Sequence, residues 1–111
     1  MLKNEYNCAL LLTMDLVGGK WKLLILWHII NGDNRFSILH KKITNITEKM
    51  LTTQLREMEK TGLITRKVIC EKPLNVQYSL TRKYAKLQTI IDDLCDFSKT
   101  YGKLNNIVVH D

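Results

Sequence analysis

Proline is almost missing from this sequence. Pro73 is the only one in 111 residues, and glycine occurs just five times. A proline-rich spacer, a collagen repeat and a flexible glycine tether are thereby excluded. Cysteine is scarce and awkwardly placed: Cys8, Cys70 and Cys95 are odd in number and far apart, which suits neither a disulfide framework nor a CxxC metal pair. Reduced thiols are expected. His28, His40 and His110 have no acidic or thiol companion at ligand spacing, so no metal site is expected either. Long apolar runs are lacking too. The richest, Leu23 to Ile30, is far too short to span a bilayer and contains His28. The N-terminal stretch Met1 to Asn7 is polar, and the apolar run after it is broken by Thr13 and Asp15 without a small-residue cleavage site. The expectation is a soluble cytoplasmic protein with no membrane partner. Glycine-rich phosphate loops, paired carboxylates and nucleophile–base arrangements are also missing, which argues against an enzyme and against a bound cofactor.

What is present is a basic, apolar chain of single-domain size, expected to fold as one unit over residues 1–111. Its formal net charge of +6 favours a polyanionic partner, nucleic acid or an acidic membrane surface, without choosing between them.

Periodicity divides the chain. Cys8 to Val17 reads as a short helix stopped by Gly18-Gly19, and Lys20 to Ile30 as a second helix, apolar almost all round and therefore central. Asn31 to Asn34 is a turn cluster. Arg35 to Ile43 makes a third helix with Phe36, Leu39 and Ile43 on one face, followed by the tight connection Thr44-Asn45-Ile46. Thr47 has the character of an N-cap for a fourth helix reaching about Lys60, buried through Leu51, Leu55 and Met58, with Gly62 as its C-terminal cap. The pattern then alternates. Leu63 to Cys70 and Val76 to Leu80 read as the strands of a hairpin, with Glu71 to Asn75 as its loop. Thr81 is expected to cap a last helix running to about Tyr101, with a loose tail after it.

Short helix, tight turn, capped helix and hairpin together specify a winged helix-turn-helix, mainly α with a small β wing. The helix-turn-helix covers about 35–60, the wing about 63–80 and the last helix about 81–101. In such a unit the second helix of the pair lies in the DNA major groove. Rotation by about 100° per residue away from Leu51, Leu55 and Met58 brings Lys49, Thr53, Arg56 and Lys60 to the outer face, with Thr52 on its flank. Thr47, Lys49, Thr52, Thr53 and Arg56 are the candidates for base or phosphate contact, since hydroxyls meet donors or acceptors and cations meet guanine or phosphate. Arg35 and Ser37 open the preceding helix, and Lys67, Lys72 and Asn75 belong to the wing. Arg35 to Lys67 holds eight basic residues against three glutamates, concentrating most of the positive excess in this segment.

The last helix carries more apolar residues than covering its own core requires. Leu87, Ile91, Leu94 and Tyr101, with Leu11 of the first helix, are the expected dimer interface, because a twofold dimer reads two half-sites. Trp21 and Trp27 are expected to pack in the core.

Asp15-Leu16-Val17-Gly18-Gly19-Lys20-Trp21, followed by Leu23-Leu24-Ile25-Leu26, resembles the GGKW signature of the HxlR-type winged-helix regulators. Arg35 to Leu39, Ile46 to Thr52, Leu55 to Glu59, Gly62 to Arg66, Pro73 and Val76 to Thr81 continue the resemblance in register, from residue 8 to about 101. Departures are Ala9, Trp27, Tyr84 and a wing with one proline instead of two. The resemblance implies a dimeric MarR-like fold and a transcriptional regulator that binds double-stranded operator DNA. It is read as a repressor on a pseudo-palindromic operator. Cys8 stands at the N-terminal cysteine position of many members, some of which sense oxidants, quinones or aldehydes. It begins a helix, where the dipole favours a thiolate, the form that electrophiles attack. Release by thiol modification at Cys8 is therefore expected. The alternatives are release by a small-molecule effector bound between helices, and a winged-helix protein-interaction module that does not bind DNA. Cys70 and Cys95 are read as inert and packing residues.

Overall fold

The computed structural model describes residues 2–110; Met1 and Asp111, the ends of the expected 1–111 unit, lie outside them. In chain order the elements are α1 (Ala9–Val17), α2 (Lys22–Ile30), α3 (Phe36–Lys42), α4 (Glu48–Lys60), β1 (Ile64–Glu71), β2 (Leu74–Leu80), a 3-10 turn (Arg82–Tyr84) and α5 (Lys86–Leu104). The class is mainly helical with one antiparallel hairpin.

Both ends of α4 form through the residues expected to form them. Thr47 is extended (φ −81°, ψ 159°), and its hydroxyl oxygen accepts from the Met50 N–H at 3.0 Å. At the other end the Leu63 N–H reaches the Met58 carbonyl and the Gly62 N–H the Glu59 carbonyl, the paired bonds of a Schellman cap. Gly62 sits at φ +83°, where an L side chain is strained. Leu51, Leu55 and Met58 are buried, each stabilising the fold by roughly 1.5–3 kcal/mol relative to exposure.

These side chains join one hydrophobic cluster with Ile25, Leu26 and Ile29 of α2, Leu39 of α3, Leu63 and Ile64 at the start of the wing, Tyr78 of β2 and Ile91 of α5. The central role expected of the second helix is met: α2 packs on α3, β2 and α5. Trp21 and Trp27 are half-buried against the cluster rather than fully inside it.

Several boundaries differ from the sequence reading. The second helix begins at Lys22 rather than Lys20, because Gly19 takes φ +91° and Trp21 becomes the N-cap, with Lys20 Nζ 4.8 Å from its ring centre. Arg35 is extended and outside α3, bridged to Gln77 of β2, while the Tyr78 N–H donates to the Asn34 carbonyl at 2.9 Å. The hairpin loop is shorter than expected. Glu71 pairs with Leu74, leaving Lys72 and Pro73 alone at the tip, and an irregularity between Val68 and Cys70 absorbs one residue. Thr81 does not cap the last helix: its N–H donates to the Leu63 carbonyl and its hydroxyl to that of Gly62, fastening the end of the wing to the end of α4. The chain then makes the 3-10 turn before α5 starts at Lys86, and α5 continues past Tyr101 to Leu104. Nor is the following segment loose, since the Ile107 N–H returns to the Gly102 carbonyl at 2.8 Å and buries Gly102.

Polar contacts fix the helices further. His28, read as lacking an acidic companion, has one: its Nδ1 lies 3.0 Å from Asp33 Oδ2, and Lys42 Nζ lies 2.8 Å from Asp33 Oδ1, so the turn after α2 is tied to the end of α3. The Tyr6 hydroxyl donates to Asp15 Oδ2 at 2.6 Å and accepts from the Lys3 N–H, laying the N-terminal segment along α1. That bond to Asp15 holds the Tyr6 phenol above its ordinary pKa.

Candidate nucleic-acid interface

The helix pair α3–α4 is joined by a turn whose Asn45 takes φ +70°, a conformation asparagine tolerates better than most residues. With Leu51, Leu55 and Met58 turned inward, Lys49, Thr53, Arg56 and Lys60 are exposed on the opposite side of α4. Thr52 and Met50 lie half-buried on the flanks. Thr47 is exposed, but its oxygen is occupied by the cap, leaving only its hydroxyl proton to offer a partner.

The acidic residues of α4 are placed differently from its cations. Glu57 is drawn toward α2 by Lys22 at 2.7 Å. Glu48 stands in the first turn, where a negative charge suits the helix dipole. No ion pair among the described residues neutralises Lys49, Arg56 or Lys60.

Arg35 and Ser37 are both exposed and border one hollow with Phe36, Leu74, Asn75 and Tyr78, so the start of α3 and strand β2 of the wing form a continuous surface. Lys67 and Lys72 are exposed along the wing, Lys72 at its tip. Asn75 is the exception. It pairs with Cys70 inside the hairpin rather than standing in a loop, and its Oδ1 is buried without a hydrogen-bond partner.

Sequence reasoning missed Arg66. It lies opposite Tyr78 across the hairpin and borders the cleft between wing and α4 that Phe36, Thr52, Leu55, Arg56, Glu59 and Tyr78 complete. Strand alternation was the available signal: two residues beyond buried Ile64, Arg66 has to share its face.

Elsewhere, Ile91 is corrected as an interface residue. At 4% exposure it belongs to the protomer's own core, and Leu87 is half-buried beside it. Leu11, Leu94 and Tyr101 are exposed. Cys8 is the exposed N-cap of α1 and its side chain makes no capping bond. Cys95 packs against the core, and the Cys70 thiol donates to the Lys72 carbonyl at 3.5 Å. No helix among the described residues is long and apolar enough to cross a membrane.

Comparison with known proteins agrees with this geometry. The HxlR-like helix-turn-helix family model matches residues 16–106. An HTH-type transcriptional regulator of Methanothermobacter thermautotrophicus is 43% identical over 99 residues, covering 89% of this chain and 76% of that protein. The crystal structure of the HTH-type regulator ytcD, a protein of Bacillus subtilis, superposes with a TM-score of 0.77 at 39% identity, covering 85% of this chain and 96% of that one. The redox regulator HypR in its oxidised form also has a TM-score of 0.77, at 36% identity over 84% of this chain and 96% of that one. With its helix-turn-helix, wing and exposed cations in place, the chain belongs to the HxlR-like helix-turn-helix family of DNA-binding transcriptional regulators.

Proposed function

We propose that the protein is a homodimeric repressor that holds a pseudo-palindromic operator and releases it when Cys8 is modified. In this reading α4 lies in the major groove, with Lys49, Thr52, Thr53 and Arg56 facing base edges and phosphates. Arg35, Ser37, Lys67 and Lys72 meet the flanking backbone. Repression follows from occupying promoter DNA.

One observation carries the dimer. Along the 19 residues of α5 only Ile91 and Gly102 are buried, whereas Ile90, Leu94, Phe97, Tyr101 and Leu104 are exposed. Leu10, Leu11 and Met14 of α1 are exposed as well, and the only buried residue of that helix is Val17. Apolar surface on this scale signals a protein partner, and a second copy supplies a self-complementary one.

The thiol switch is supported by the exposure of Cys8 at the first turn of α1, the same helix that presents this apolar face. A bulky or charged adduct there enters the proposed interface and changes the spacing of the two α4 helices. HypR, a structural relative, is a redox regulator seen in oxidised and reduced forms.

The test combines mass and binding. Sedimentation of the reduced protein gives a dimer, and a duplex from upstream of its own gene is bound until a thiol oxidant is added. Cys8→Ser keeps binding in oxidant. Oxidant-sensitive binding that persists in Cys8→Ser contradicts the assignment to Cys8.

A further inference from the structure

We propose that Arg66 and Arg56 together seat one backbone phosphate of the DNA strand passing between α4 and the wing, an inference that rests on α4 occupying the major groove. The reason begins with the duplex. Adjacent major and minor grooves are divided by a single sugar–phosphate strand. A helix in one groove and a wing over the next therefore straddle that strand, and whatever lines the cleft between them faces its phosphates rather than base edges.

This cleft is built for such a contact. Phe36, Leu55 and Tyr78 form its floor, Leu55 and Tyr78 nearly buried, and most of the surface it exposes is polar. Arg56 enters it from α4 and Arg66 from β1, and neither guanidinium has an ion-pair partner among the described residues. Three chain segments hold the floor in place. Phe36 begins α3, the Arg35–Gln77 bridge and the Asn34–Tyr78 hydrogen bond fix β2 to the start of that helix, and Leu55 is buried on the inner face of α4.

Arginine suits the task because its planar fork donates two parallel hydrogen bonds to a phosphate. Thr52, one helical turn before Arg56, adds a hydroxyl donor at the same wall. Glu59 stands one turn beyond Arg56 on that wall, and its carboxylate repels a phosphate toward the Thr52 end.

The experiment measures binding of a labelled operator duplex across a salt series for the full-length wild type, Arg66→Gln, Arg66→Lys and Glu59→Gln. Arg66 is exposed, so the fold survives its replacement, which thermal melting verifies. Arg66→Gln is expected to weaken binding about tenfold and to make the log–log salt slope shallower by about 0.9, the value for one phosphate. The ranking of duplexes with altered bases stays the same. Arg66→Lys restores the slope but only part of the affinity, because an ammonium cannot bind bidentately. Glu59→Gln binds a few-fold more tightly. An unchanged slope in Arg66→Gln, or a changed ranking of duplexes, overturns the phosphate seat while leaving α4 as the recognition helix. Wild type that binds no duplex in a salt-sensitive way removes both.

Discussion

Lys22 Nζ lies 2.7 Å from Glu57 Oε1, so α4 is fastened to α2 by the acidic residue adjacent to one of its exposed cations. Arg56 and Glu57 are neighbours in sequence but about 100° apart around the helix. Opposite effects follow. Glu57→Gln lowers stability by less than about 1 kcal/mol, since half of its side chain is solvated, and keeps operator affinity within a few-fold of wild type. Arg56→Gln leaves the melting temperature unchanged and weakens operator binding about tenfold or more. Melting curves and anisotropy titrations of the two variants read both quantities.

On α5, burial separates the core residue from the exposed apolar residues proposed to pair two copies. Ile91 is buried in its own protomer, so Ile91→Ala costs about 2–5 kcal/mol of stability. Phe97 is 67% exposed and lies 6.5 Å, ring centre to ring centre, from exposed Tyr101. Phe97→Glu is expected to leave each protomer folded and to convert the dimer to monomer in sedimentation, with loss of operator affinity. A Phe97→Glu protein that remains dimeric moves the interface elsewhere.

Asp33 makes stability depend on acid. The hydrogen bond from Lys42, and then that from His28, hold its carboxyl below the ordinary carboxylate range. A carboxylate depressed in the folded state contributes stability that is present above its unfolded value and lost as pH falls through the folded one. Asp33→Asn therefore melts below wild type at neutral pH, and the difference shrinks as the pH drops beneath the usual carboxylate range. A difference independent of pH means that Asp33 acts through packing rather than charge.

The elements that could be read from the sequence are those fixed by local rules. Thr47, Gly62 and the Leu51–Leu55–Met58 spacing define α4 without reference to the rest of the chain, and alternation after Gly62 marks the wing. Long-range contacts hid the remainder. Thr81 looks like a helix cap until the Gly62 and Leu63 carbonyls claim it, and Arg35 looks helical until Gln77 bridges it. Ile91 and Leu94 are equally apolar, and only the position of α2 decides which of them is covered. The cations on α4 were legible because one buried face implies its opposite. For Arg66 alternation gives the face of the strand but not the cleft, which depends on a strand and a helix meeting.

The central claim is that the outer face of α4 holds operator DNA. Anisotropy titration of the reduced protein against a labelled duplex from upstream of its own gene, in excess competitor DNA, tests it when wild type is run beside a Lys49→Gln, Arg56→Gln double variant. Wild type is predicted to prefer that duplex, with an affinity that falls steeply with salt, and the double variant to lose the preference while melting at the same temperature. A double variant that binds the duplex as tightly as wild type, with the same salt slope, contradicts the account.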